Sequence, residues 1–312
     1  LTEVGGYRFS GKSLLFPKLS PRGKHMIGVA LALLSASFSG ASVILVGKNA
    51  GKSDAFNISL AISLVGLAIL WPVAWVTMNM PVQPAAVVLF GVCGLLSPGL
   101  VRLLYYRGLD LLGMSVNAAL TSVYPLYTSL LALFLLNEAL STLNWVGVAL
   151  VVAGVVFVEV NACRSNFKHN HARNLVYPVL GGLTLGLANA LRKYALNLFA
   201  MPALGVAVSY TFALAPYLLA LGFSGSLRAK FSLKRETVLF WKAGVGQAAA
   251  WITAFYALSY EKVAVVTPLV STEPLFVVLL SRVFLQDVEH VSGKLAASIT
   301  LTVLGVALVL MR

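Results

Sequence analysis

The sequence predicts an all-α integral membrane protein of ten transmembrane helices arranged as two inverted five-helix repeats. Three observations carry this. Hydrophobic residues make up 59% of the 312 and charged residues only 11%, with a mean hydropathy of +0.89, against about 25% charged in ordinary soluble domains. The apolar residues gather into ten runs of about 20, the length that crosses a bilayer as a helix. Finally, a single offset of 149 residues relates features of the first five runs to features of the last five.

In chain order, a polar arm over residues 1–24 comes first, with Arg8, Lys12, Lys18, Arg22 and Lys24 against one acid, Glu3. It has no apolar core of the signal-peptide kind, and its basic, serine-containing composition also suits the remnant of an organellar targeting peptide. Within it, Gly6 to Ser13 satisfies the spacing of a phosphate-binding P-loop. That motif needs a strand before it and a helix after it to aim its amides, and here a short polar stub precedes it and a membrane span follows. We read the match as accidental. ATP binding is therefore expected to be undetectable both before and after Lys12→Ala; ATP binding that is lost on that substitution would reverse the reading.

The runs cover approximately 26–46, 57–78, 84–106, 114–136, 143–160, 175–196, 202–223, 238–258, 263–285 and 292–311. Trp71, Trp75, Trp145 and Trp241 fall near predicted ends, where interfacial anchors belong. The longest connections, 161–174 and 224–237, are too short for a soluble domain. This gives an arm (1–24) and two repeats, 25–163 and 164–312.

The repeat register pairs Pro125 with Pro274, Ser122 with Ser271, Tyr106 with Phe255, Leu34 with Leu183 and Ala41 with Ala190, each 149 residues apart. One offset shared by several helices is not what chance similarity between apolar segments produces. Five spans per half insert the second copy upside down relative to the first, the design of secondary transporters whose site lies near the membrane midplane between the repeats.

Glu273 falls in the middle of the ninth run, about ten residues or ~15 Å from either end. A charged carboxylate at that depth costs roughly 2.5–3.5 kcal/mol on insertion scales, so it is expected to face protein, water or a cationic partner. Pro274 beside it and Pro125 in the fourth run free backbone carbonyls that lipid cannot satisfy. The repeat sets Tyr124 against Glu273, different chemistry at matching positions. Gln247, Asn189, Ser37, Ser39 and Trp251 are also predicted deep in the membrane, where polar groups serve either a cavity or helix association.

Five basic residues lie inside runs. Lys242 and Arg282 are near ends and are expected to snorkel. Arg102 and Arg192 are each about 9–10 Å from the centre of their helix, towards opposite faces. Both are expected to snorkel, with lining of a vestibule or pairing with Glu273 as the alternative. Lys193 projects about 100° away from Arg192. Glycines 91, 94, 244 and 246 are assigned to close helix packing.

Other function classes find little support. Cys93 and Cys163 make no disulfide framework. His169 and His171 share a basic loop with no nearby acid, so no metal site is expected. The basic residues behind the net charge of +13 lie mostly in tails and loops, where anionic lipid headgroups rather than nucleic acid explain them. No cofactor is expected and no catalytic constellation stands out.

The stretch from Ser115 through Tyr124-Pro125 to Asn137-Glu138, followed by Trp145 to Gly154, resembles the EamA-type members of the drug/metabolite transporter superfamily. In that family the fourth helix typically ends in Gly-Glu; here Asn137 replaces the glycine. Glu273-Pro274 is a pairing the family often uses, whereas Gln286-Asp287 matches its helix end more loosely. The resemblance spans roughly residues 26 to 311. It implies a secondary transporter moving a small organic metabolite across the bilayer by alternating access, as exporter or exchanger, with a proton as a possible coupling ion. The alternatives from other classes are a non-transporting receptor and a membrane-embedded enzyme. The resemblance also implies cytoplasmic termini and a plasma (inner) membrane location, an organellar membrane being the alternative. Basic residues do not decide the orientation, nine lying on the termini side and eleven on the other; the arm beside the first helix favours cytoplasmic termini.

Overall fold

The computed structural model describes residues 20–49, 52–78, 81–162, 172–223, 225, 233–284 and 293–311. The basic arm with its P-loop match, Cys163, His169, His171 and Gln286-Asp287 lie outside them, as does the side chain of Arg282.

The described residues are helical almost throughout: α1 Pro21–Gly47, α2 Ala55–Thr77, α3 Pro84–Gly94, α4 Val101–Leu112, α5 Met114–Thr121, α6 Tyr124–Leu136, α7 Thr142–Ala162, α8 Val176–Phe199, α9 Pro202–Phe223, α10 Leu233–Tyr260, α11 Val263–Val270, α12 Glu273–Phe284 and α13 Gly293–Leu310. Starts and stops follow local chemistry. Pro21 and Pro84 occupy first turns, where a missing N–H costs nothing. The Ser20 hydroxyl accepts the Gly23 N–H at 3.2 Å, and α6 ends where Asn137 turns left-handed at φ 51°.

Seven segments are long and apolar enough to cross a membrane: Arg22–Gly47, Ala55–Thr77, Pro84–Leu112, Val116–Leu136, Arg173–Phe199, Pro202–Phe223 and Val263–Ser281. Thr142–Val158 and Ala297–Leu310 are shorter apolar helices. The long α10 is not among the seven; its first turns carry Arg235, Glu236 and Lys242, and its body Gln247, Tyr256 and Tyr260.

Packing repeats with the halves exchanged. α1 lies along α10 as α8 lies along α3, α2 meets α10 as α9 meets α3, and α12 crosses α1 as α6 crosses α8. α7 and α13 pair with each other. Their seam brings backbone to backbone: a Cβ on Gly147 would come within 2.8 Å of the Gly305 carbonyl, and one on Gly305 within 2.8 Å of the Gly147 carbonyl. Such close approach is how helices associate where lipid removes the hydrophobic drive.

Two broken rods obey the 149-residue register atom for atom. The Ser122 N–H donates to Ala118 O at 2.9 Å, and the Ser271 N–H to Thr267 O at 3.0 Å. A turn follows, and each helix restarts with an i to i−3 bond, Leu126 N–H to Val123 O at 3.0 Å and Leu275 N–H to Thr272 O at 2.9 Å. Pro125 and Pro274 sit second in the restarted helices α6 and α12. The third rod is broken without a counterpart. Between α3 and α4 the chain opens into a wide turn, Leu95–Leu100, in which Ser97 is extended at φ −147°, ψ 126°. Position 246 in α10, its equivalent, lies in unbroken helix.

Candidate functional site

The two paired breaks meet at one cavity of about 210 Å³ in the interior of the bundle. Tyr124 and Glu273, which begin α6 and α12 at equivalent positions, both line it, together with Asn189 from α8 and Gln247 and Trp251 from α10. Ser35 and Ser39 of α1 and Thr267 of α11 add to the polar wall. The Ser39 hydroxyl donates to Glu273 Oε2 at 2.7 Å. Ser35 spends its hydroxyl on the Ala250 carbonyl at 2.7 Å and Ser42 on the Ala243 carbonyl at 2.8 Å, which fixes α1 against α10. Ser37 turns to its own helix, donating to the Leu34 carbonyl at 2.8 Å. Tyr124 reaches across the repeat boundary to the Thr267 carbonyl at 3.4 Å.

Arg192 corrects the expectation of snorkelling. It is 1% exposed and lines the same cavity. Its guanidinium donates to Asn189 Oδ1 at 2.5 Å and to the Ser97 carbonyl, and it stacks 4.5 Å from the centre of the Trp251 ring and 5.6 Å from that of Phe255. The reason is the unpaired break in the third rod. An extended Ser97 releases a carbonyl from helical bonding, and that carbonyl plus an aromatic face satisfies a cation that would otherwise climb to the interface. Pro98, deep in the third apolar run, was the available signal for this break.

Arg102 does not line the cavity. It donates to Ser63 Oγ at 2.9 Å and to the Ser59 carbonyl at 3.4 Å, with Tyr106, Tyr210 and Tyr217 around it. By the repeat, Arg102 is the counterpart of Trp251, 149 residues on. The break at Ser97 lies just before Arg102, while α10 runs unbroken past the equivalent point, so the two side chains occupy different surroundings.

Below the cavity, on the face where α1 begins and α13 ends, polar groups tie several helices together. His25 pairs with Glu261, whose other oxygen accepts the Lys262 N–H at 2.9 Å. The Lys262 ammonium donates to the Ala139 carbonyl at 3.1 Å. Lys193, expected to point away from Arg192, is itself buried and donates to the carbonyl of Leu258 at 2.7 Å. Glu138 follows α6 and is also buried. It accepts the N–H groups of Val263 and Ala264 at 3.3 and 3.4 Å, a cap supplied across the bundle to the N-terminus of α11. Burial pushes its carboxyl above the usual range, with those two amides pulling against the shift.

A family model for the EamA-like transporter family matches residues 26–160 and again 174–311. The chain belongs to the EamA-like transporter family. It therefore carries two EamA repeats, as the packing exchange and the twin breaks also require, and is an integral membrane protein of a transporter family of the drug/metabolite type, not an enzyme family. No curated protein matches the sequence. A solved structure titled "Crystal structure of protein" aligns at a TM-score of 0.72 and 19% identity, covering 91% of this chain and 97% of that one. At that identity the likeness speaks to the fold alone.

Proposed function

We propose that this protein is a secondary transporter that carries a small organic solute across a membrane by alternating access, as an exporter or exchanger. The observation that carries the reading is the central cavity at the meeting of the two paired helix breaks. Polar groups from both repeats face it, and irregular backbone inside a membrane protein is tolerated where it borders a cavity or other protein. The seven long apolar segments, the two shorter apolar helices and α10 make ten crossings, in two repeats of opposite orientation with boundaries near 25–163 and 164–312. Both termini then lie on one side, taken as cytoplasmic in a plasma membrane. Tyr124, Asn189, Gln247, Trp251 and Glu273 form the binding wall. Arg102, outside the cavity, contributes through the route leading to it, and a proton on Glu273 is the candidate coupling ion.

The test is flux. Purified protein in liposomes, screened with amino acids, nucleosides and organic anions without ATP, is expected to exchange at least one of these solutes across the bilayer. Binding with no flux of any solute would point to a receptor instead. Orientation is read by labelling single cysteines placed at positions 165 and 232 from each side. Labelling of both only from the cytoplasm would overturn cytoplasmic termini.

A further inference from the structure

We propose that an anionic glycerophospholipid binds in a groove on the face where α1 ends and α10 begins, its phosphate held by Lys52, Arg235 and Lys242. The groove shares no residue with the central cavity, and the lipid site stands whether or not the transport reading does.

The face of α10 sets the geometry. Arg235, Val238, Leu239 and Lys242 fall at i, i+3, i+4 and i+7 and so line one side of that helix. The turn after α1 is tied to it. Asn49 Nδ2 donates to the Leu239 carbonyl at 3.4 Å, and the Arg235 guanidinium donates to the Lys52 carbonyl at 3.2 Å. Between turn and helix runs an open groove of about 730 Å³, lined by these residues and Trp241.

Three of the lining side chains are cations and none is an acid. Glu236 and Asp54, the acids nearest in sequence, are not among them, and Glu236 is buried. Among the described residues no acid pairs with Lys52, Arg235 or Lys242, and most of their donors are unspent. The Lys52 ammonium gives one of its three N–H groups to Asn49 Oδ1 at 3.0 Å. Arg235 gives one of its five to the turn. Lys242 has the Trp241 ring, 5.7 Å from its centre. Like charges gathered without an acid repel one another, and an anion with several acceptor oxygens removes that repulsion while taking the free donors.

Depth selects a lipid over a free ion. The 28 residues of α10 make it about 42 Å long, more than the ~30 Å hydrocarbon core. Counted back from Tyr260, about 20 residues fill that core and reach Trp241. Arg235 then stands about 9 Å further out, in the headgroup layer, and Lys242 at the boundary, from which its stem reaches outward. Val238 and Trp241 are 70% and 51% exposed, an edge on which the glycerol backbone and upper acyl chains lie. Free phosphate would take the cations and leave that edge bare. A second copy docked isologously would set cations against cations. The lipid also bridges the repeats, since Lys52 belongs to the first and Arg235 and Lys242 to the second.

The test gives the delipidated whole chain, in neutral detergent, equimolar phosphatidylglycerol and phosphatidylcholine with the same acyl chains. The first lipid retained is read by native mass spectrometry. Wild type is expected to retain phosphatidylglycerol in about fivefold excess or more, the factor that one cation near an anionic surface supplies. Combining Lys52→Gln, Arg235→Gln and Lys242→Gln should bring the two lipids to parity. Combining Arg22→Gln, Lys24→Gln and Arg107→Gln, which removes as much charge from exposed positions outside the groove, should keep the excess. Size-exclusion profiles check folding; if the groove triple variant fails to fold, Lys242→Gln alone should lower the excess. Inorganic phosphate at the lipid's concentration is expected not to displace it. Parity in wild type, an excess that survives the groove substitutions, equal loss in the control variant, or displacement by inorganic phosphate overturns the lipid site. A lipid-free dimer that the groove substitutions dissolve would give the groove to a second copy and overturn it as well.

Discussion

Glu273→Gln is expected to cut transport by about 10- to 100-fold while leaving the protein folded. The side chain opens α12 at the second repeat's break, lines the cavity and takes one hydrogen bond, from Ser39. A glutamine oxygen in the same place still accepts that hydroxyl, so the contact between α1 and α12 survives. What disappears is the carboxylate's charge. Hydrogen bonds to charged groups contribute about 1.5–3 kcal/mol, and each 1.4 kcal/mol is a factor of ten, which sets the expected range. The measurement is initial rate of counterflow against external pH for both proteins at matched reconstitution. A slower rate at every pH identifies Glu273 as the solute's fixed counter-ion. Exchange retained with its pH dependence gone assigns the residue to proton coupling. Unchanged rate and unchanged pH profile would remove Glu273 from the mechanism.

The helical fold and its duplication were legible because both leave marks that survive without coordinates. Apolar run length reports the spans, and Pro125 with Pro274 in one register reports equivalent breaks, which recur in the structure down to the hydrogen bonds of Ser122 and Ser271. Depth along a helix was also readable, so Glu273, Tyr124, Asn189, Gln247 and Trp251 were singled out, and all five line one cavity. Depth does not give direction or partners. Arg192 and Arg102 are about equally displaced from the centres of their helices, yet one lines the cavity and the other sits among tyrosines. What separates them is the Ser97 break, whose released carbonyl binds Arg192. Nothing in the repeat announces that break, because the equivalent stretch of α10 is regular helix. Glu138 likewise reads as a helix-end residue; its role as a cap for α11 needs the chain to fold back across the bundle.

Gly94→Ala is expected to be the most damaging single-methyl change in the bundle. Gly94 ends α3 just before the Ser97 break, and α9 crosses it so closely that an added Cβ would lie 2.0 Å from the Ser209 carbonyl oxygen and 2.6 Å from Ser209 Cα. The obstacle is backbone, which no rotamer change can clear. Ser209 is pinned as well, its hydroxyl donating to the Phe90 carbonyl at 2.9 Å. Relief requires α3 and α9 to separate, and that movement carries the released Ser97 carbonyl away from Arg192. Overpacking of a fitted interior costs about 1–3 kcal/mol and occasionally more; with backbone on both sides, the upper end of that range is expected. Gly47→Ala is the control, since nothing lies within 4 Å of a Cβ there, and at this last residue of α1 alanine is the better helix former by at most about 1 kcal/mol. Thermal unfolding followed by size-exclusion fluorescence should show Gly94→Ala melting well below wild type and Gly47→Ala at or above it. Equal melting of the two variants would mean that α3 and α9 are not packed backbone to backbone, and would detach Arg192 from the break that holds it in the cavity.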